Sequence, residues 1–222
     1  EKELNSGNIS VRTEDGGLLV TPTGSSFGRL DPAQLSLFNE NLEHISGDKP
    51  NLLLVPGASK AYKNWTLEGY AGIAQYALSQ GYQVSLIGSP AAQEMALSEQ
   101  LNAACDGKLN NLCGKTSLAQ LWALISQADL LISPDTGPAH MAVAVNTPVL
   151  GLYAHHNPQR TGPYHYRDYV VSVWQSLIEQ EQGKPAEQLS WRSRVKDPQA
   201  MQKITLDAVI AMFETIKKEQ QL

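Results

Sequence analysis

The 222-residue chain sets 17 Lys and Arg against 22 Asp and Glu, a formal charge of -5, and is 42% hydrophobic and 18% charged. That is the balance of a globular protein of one large or two small domains, long enough to bury a core without disulfide or metal staples. The acidic balance excludes a general attraction to nucleic acid or anionic lipid and leaves only local basic sites for phosphate.

No apolar run reaches the roughly 18 residues that a membrane-spanning helix needs, so no transmembrane segment is expected. The opening EKELNSGNIS lacks the apolar core of a secretory signal. The first residue is Glu, as in a fragment or a processed chain. Cys105 and Cys113 are too few for a disulfide scaffold and read as reduced thiols of a cytoplasmic protein, with a bond between them as the alternative.

Residues 1–50 are rich in turn formers: Gly7-Asn8, Asp15-Gly16-Gly17, Pro22-Thr23-Gly24, Asp31-Pro32 and Gly47-Asp48. Short apolar runs at 17–21 and 35–38 lie between them, the pattern of short antiparallel strands joined by tight turns. Lys49-Pro50 marks a join, so that 1–50 and 51–222 are expected to be separate domains.

From Asn51 the texture alternates. Residues 52–55 are a continuous apolar run, as in a strand covered on both faces. Over 66–80, Leu67, Tyr70, Ala71, Ala74, Ala77 and Leu78 recur at helical spacing, with Thr66 as N-cap and Gly81 as the stop. A strand at 83–87 and a helix at 90–101 follow. Next come a short strand at 111–113 and a helix at 117–127 with Leu118, Leu121 and Ile125 facing inward. A strand at 130–133, a helix at 137–145 and a strand at 149–152 complete the alternation. A long loop over 154–168 and a closing amphipathic helix over 199–218 end the chain, the latter with Ile204, Val209, Ile210, Phe213 and Ile216 inward. Alternating β and α elements imply right-handed crossovers and a doubly wound parallel sheet, a Rossmann-like α/β fold.

In such a sheet, ligands bind beyond the carboxyl ends of the strands. Three segments fall there. Pro56-Gly57-Ala58-Ser59, with Lys60 and Lys63 after it, combines small residues that admit a ligand to the backbone with lysines able to neutralise phosphate. An ordinary loop with a solvated lysine is the plain alternative. Ser133-Pro134-Asp135-Thr136-Gly137-Pro138-Ala139-His140 ends a strand and starts a small-residue helix. Its free amides and positive dipole end make an anion site, and Thr136 can donate a hydroxyl hydrogen bond. A side chain at 137 would obstruct that approach, and would strain the turn if φ is positive there. Asp135 could instead cap the helix, and His140 could face a ligand or be a core histidine. Gly88-Ser89-Pro90 offers a turn where a nucleoside could rest, equally explained by loop geometry.

Together, VPGASKAYKNW (55–65), GYQVSLIGSP (81–90), NLCGKTSLAQLWALISQADLLISPDTGPAHMAVAVNTPVLGLY (111–153) and NPQRTGPY (157–164) resemble glycosyltransferase family 9, the ADP-heptose:lipopolysaccharide heptosyltransferases. The likeness covers nearly all of the family's carboxyl-terminal donor domain, a GT-B-type unit. It implies an inverting transfer of heptose from an ADP-sugar to a lipopolysaccharide core acceptor. It makes Lys63 the donor-phosphate lysine and sets Asp135, Thr136, Gly137 and His140 around the pyrophosphate. Ser59 and Gly88 complete the implied donor site. Glu94 is an uncertain counterpart of the family's nucleoside glutamate, because the segment here reads SPAAQE. The catalytic base is expected from an amino-terminal acceptor domain that this sequence does not show. No cofactor is implied, the ADP-sugar being a substrate, and no metal-ligand spacing is seen. The implied location is cytoplasmic, with peripheral association at the inner face of the inner membrane.

Residues 6–50 resemble a different family, the amino-terminal part of class II aldolases and related sugar-acid phosphate decarboxylases. There Gly7, Asn8, Thr23 and Gly24 would contribute to phosphate binding, while the zinc histidines and the acid/base glutamate would lie in sequence absent here. The chain thus reads as a chimera. Two further functions stand beside the transferase: a class II aldolase-like lyase or decarboxylase, and a non-catalytic nucleotide-binding module.

Overall fold

A computed structural model describes the backbone of residues 10–12, 18–20, 36–38 and 44–46 and the whole of 50–220. The chain forms two compact units, Glu1–Pro50 and Asn51–Leu222. In the first, β1 (Ser10–Arg12), β2 (Leu18–Val20), β3 (Ser36–Phe38) and β4 (His44–Ser46) pair antiparallel in that order, with a register shift at Leu37/Phe38. The apolar runs expected at 17–21 and 35–38 hold β2 and β3. Gly7, Asn8, Thr23 and Gly24 lie outside the described residues.

The second unit is a parallel sheet of β5 (Asn51–Leu54), β6 (Gln83–Leu86), β7 (Asn110–Asn111), β8 (Leu130–Pro134), β9 (Val149–Tyr153) and β10 (Val170–Ser172). Their order is β10-β9-β8-β5-β6-β7, all pairs parallel, and the outermost strands, β7 and β10, are the shortest of the six.

Side chains alternate across a strand, so apolar neighbours feed opposite faces. Leu52, Leu54, Leu130, Ile132, Leu150 and Leu152 join a core with Tyr70 and Ile73 of α1 (Leu67–Ser79), Leu101 of α2 (Ala92–Ala104), Ile178 of α6 (Trp174–Gln182) and Phe213 of α7 (Leu206–Gln220). Leu53, Val55, Leu131 and Val149 meet Ile125 of α3 (Leu118–Ser126) and Ala139 and Ala142 of α4 (Gly137–Ala144). That two-sided burial is why these strands read as unbroken apolar runs. A short α5 (Pro158–Thr161) crosses the long loop.

Local signals behave as chemistry dictates. Thr66 Oγ1 accepts from the Gly69 amide at 3.0 Å, and Gly81 stops α1 at φ +88°. Ser117 and Gln120 form a reciprocal capping box at the start of α3. Four expectations change. The second helix begins at Ala92, not at 90, because Pro90 stands in the turn, and it runs on to Ala104. Leu118 is 74% exposed rather than inward, because the inner face of α3 starts a turn later and reaches full burial only at Ile125. The loop over 154–168 is followed by β10 and α6, which the sequence pattern does not predict. The closing helix starts at Leu206, after a separate 3-10 turn at Ala200–Lys203.

Candidate functional site

The chain enters the sheet at β5, adds β6 and β7 on one side, then crosses to add β8 on the other. The crevice beyond the carboxyl ends of β5 and β8 is therefore the switch point of the sheet, where open α/β folds hold ligands. A cleft of about 310 Å³ opens there, at the lower end of the range for small-molecule sites. Its walls are the loops at 57–59, 88–90 and 135–138, Glu94 of α2, and Thr116, Ser117, Leu118 and Leu121 around the start of α3. Of the residues expected at the site, Ser59, Gly88, Asp135, Thr136 and Gly137 line this cleft. Lys63 does not line it but is bonded to Asp135, which does, and His140 is exposed on α4 without lining the cleft.

The loop after β5 is held from both ends. Asn64 Oδ1 accepts the Ala58 amide at 2.8 Å, and the buried Trp65 donates its Nε1–H to the Ile204 carbonyl at 2.9 Å. Between these anchors the 3-10 turn Ala61–Lys63 delivers Lys63. Its ammonium donates to Asp135 Oδ2 at 2.8 Å and to the Asp135 carbonyl at 3.2 Å. His156 Nδ1 donates to the same Oδ2 at 2.6 Å, since an ionised carboxylate only accepts. The three side chains are 19%, 14% and 17% exposed, so solvent screens them only in part. Burial alone would raise the Asp135 pKa, but hydrogen bonds and charge from Lys63 and His156 outweigh it and hold the carboxyl below its usual value.

These contacts answer the alternatives the sequence left open. Asp135 does not cap α4, whose N-cap is Thr136 and has no side-chain cap bond. The Thr136 hydroxyl instead pairs with Ser133 Oγ at 2.6 Å. With Pro138 in the first turn, the amides of Gly137 and Ala139 start the helix unpaired and give it an uncapped positive end at the cleft. Gly137 is not among the glycines with positive φ, and a Cβ built on it meets nothing within 4 Å. The backbone therefore does not require glycine there, and a side chain would occupy cleft space only.

The opposite wall is assembled around Glu94, which accepts from the Ser89 amide at 2.9 Å and the Ser89 hydroxyl at 2.7 Å. A Cβ at Gly57 would lie 2.6 Å from Glu94 Cγ, and one at Gly88 would lie 2.8 Å from Cys113 Sγ. These two glycines let α2 and the strand ends close together. Ser89 falls in the turn expected to hold a nucleoside, whereas the sequence does not point to Thr116, Ser117, Leu118 and Leu121 as site residues. The GKTSL segment, with its helix-start signal at Ser117, was the available pointer. His156 is another partner to which the sequence does not point. Its Nδ1 is engaged by Asp135, and among the described residues no group of three or more His, Cys, Asp or Glu is placed to hold a metal. His155 is buried, its Nδ1 3.1 Å from the Val195 carbonyl. Cys105 and Cys113 are both free and buried.

A doubly wound parallel sheet with a cleft at its switch point places this unit among the Rossmann-like α/β domains. Within that class, the profile of glycosyltransferase family 9 (heptosyltransferase) matches residues 26–192, and the chain belongs to this family. The lipopolysaccharide core heptosyltransferase OpsX of Haemophilus influenzae is 43% identical over 174 residues, which cover 78% of this chain and 50% of that protein. The structure of the Escherichia coli ADP-heptose lipopolysaccharide heptosyltransferase II is similar with a TM-score of 0.61 at 24% identity, over 80% of this chain and 49% of that one. The chain thus spans about half the length of these relatives. A different likeness, 53% identity over 45 residues, links 20% of the chain to 21% of a 3-oxo-tetronate 4-phosphate decarboxylase of Escherichia coli O6:H1.

Proposed function

We propose that the unit over 51–222 is the donor-binding half of a heptosyltransferase. It holds an ADP-sugar, ADP-heptose by likeness to its relatives, for inverting transfer to a lipopolysaccharide core acceptor. The observation that carries this reading is the uncapped start of α4 at the cleft, with the Lys63 ammonium fixed 2.8 Å from Asp135 beside it. The diphosphate would meet the Gly137 and Ala139 amides, and Glu94 and Ser89 would border the nucleoside. Resemblance sets His140 near the pyrophosphate as well, although it is exposed on α4 and does not line the cleft.

In the reaction, an acceptor hydroxyl oxygen bonds to the anomeric carbon from one face while the bond to the diphosphate oxygen breaks on the other. Charge grows on the leaving ADP, where Lys63 and the helix amides are set in advance to stabilise it. Asp135 is ill suited to be the base. Two donors already share its Oδ2, and its lowered pKa makes it a weak proton acceptor. The base is assigned to a segment outside 51–222. No described helix is long and apolar enough to cross a membrane, and peripheral action at the inner membrane face, where the acceptor lipid is built, belongs to the same proposal.

Calorimetric titration of the chain with ADP tests the reading. Saturable binding with a dissociation constant between about 1 μM and 1 mM is expected. No binding by a chain with intact circular dichroism would sink it.

A further inference from the structure

Asp135 Oδ2 is shared by two donors from distant parts of the chain, Lys63 Nζ and His156 Nδ1. His156 belongs to none of the segments quoted for the family likeness. Its position follows from the sheet. Pro134 of β8 pairs in register with Leu152 of β9, so the residues just beyond the two strand ends meet. His156 is also held by its own backbone. It forms an antiparallel bridge with Arg194, and the neighbouring His155 carbonyl accepts the Val195 amide at 3.0 Å. The imidazole therefore hangs from a strapped segment, while Asp135 sits on a loop.

Two of the three N–H bonds of Lys63 go to Asp135, one to the carboxylate and one to the carbonyl. The direction of the third is then set by where that carboxylate stands. A second donor on the same oxygen stops the carboxylate from rotating with the lysine.

We propose that His156 is a positioning residue of the donor site: its Nδ1–H fixes the Asp135 carboxylate, which aims the Lys63 ammonium at a diphosphate oxygen of the nucleotide. The aim at diphosphate rests on the donor-site reading above; the hold on Lys63 does not.

The test titrates ADP into the full chain and into His156→Ala, His156→Asn, Lys63→Ala and the Lys63→Ala/His156→Ala double variant. Asparagine places an amide N–H close to where Nδ1–H stands. His156→Ala should lose about tenfold in ADP affinity, and His156→Asn should stay within about threefold of the parent. On the Lys63→Ala background, His156→Ala should add nothing, because the lysine through which it acts is gone. Without any nucleotide, the exchange-protected ammonium resonance of Lys63 in nitrogen-15 NMR should persist in His156→Asn and vanish in His156→Ala. Unchanged ADP affinity in His156→Ala, or an equal loss with and without Lys63, would overturn the proposal. Should the parent chain bind no ADP, the donor reading fails and the resonance alone decides: a Lys63 signal that survives His156→Ala overturns the positioning role.

Discussion

On one side of the cleft, Asp135 draws its partners from 72 and 21 positions away; on the other, Glu94 closes on Ser89, five positions away. The first wall exists only once β5, β8 and β9 lie side by side, and its side chains are mostly shielded. The second is a local turn against the start of α2, and its hydrogen bonds are exposed. Charge-assisted bonds strengthen as water is excluded. The Asp135 wall should therefore carry most of the anion affinity and most of the coupling to folding, and the Glu94 wall mainly the shape of the nucleoside end.

The largest effect should come from Gly137→Val. Its side chain would enter open cleft space in front of the helix amides and remove measurable ADP binding in a calorimetric titration. The melting temperature should change little, since the position has neither a crowded Cβ nor a positive φ. A variant that binds normally would place the diphosphate elsewhere.

Lys63→Ala comes next, with a loss of about 1–3 kcal/mol in ADP binding as a charge-assisted hydrogen bond disappears. A solvated loop lysine would leave stability untouched, but Lys63 is mostly shielded and neutralises Asp135. A stability loss of roughly 1 kcal/mol in urea titrations should accompany the binding defect. An unchanged denaturation midpoint would return Lys63 to the solvated class and weaken the contrast between the walls.

Acid supplies a third probe. The Asp135 pKa is lowered in the folded state. Its contribution to stability is therefore complete above the unfolded-state value near 4 and is lost as pH falls through the lower folded value. In Asp135→Asn the acid limb of stability against pH should flatten over that window. An identical limb in parent and variant would show that the carboxylate is not held ionised by its neighbours.

Glu94→Ala should do least to the fold, about 0.5 kcal/mol or less, because its bonds to Ser89 are exposed and easily replaced by water. Adenosine binding should weaken more than pyrophosphate binding in competition assays. The reverse order would mean that the two walls have been assigned the wrong ends of the nucleotide.

The same contrast explains what the sequence made legible. Strand–helix alternation, the Thr66 cap and the Gly81 stop are written in contiguous residues, and the structure follows them within a few positions. So is the small-residue turn at 133–140 that becomes the start of α4. The partners of Asp135 were not legible: capping and ion pairing leave the same local pattern, and only the register of β8 against β9 selects His156. Leu118 shows the converse failure. Its apolar character fits the helical period of α3, yet that helix begins at the cleft rim, where the inward stripe has no sheet beneath it. The strand after the long loop is three residues long, too short for a periodic signal, and the nine-residue α6 that follows it went unread with it.

The sheet of the second unit narrows toward its sides, from five residues in β8 to two in β7 and three in β10. An outer strand is where a foreign chain could add by backbone hydrogen bonding, and short outer strands offer such an addition few donors and acceptors. The long, apolar β5, β8 and β9 would be the most adhesive strands if bared, and each is paired on both sides. Association with this unit through strand addition is therefore restrained by the arrangement of the sheet itself.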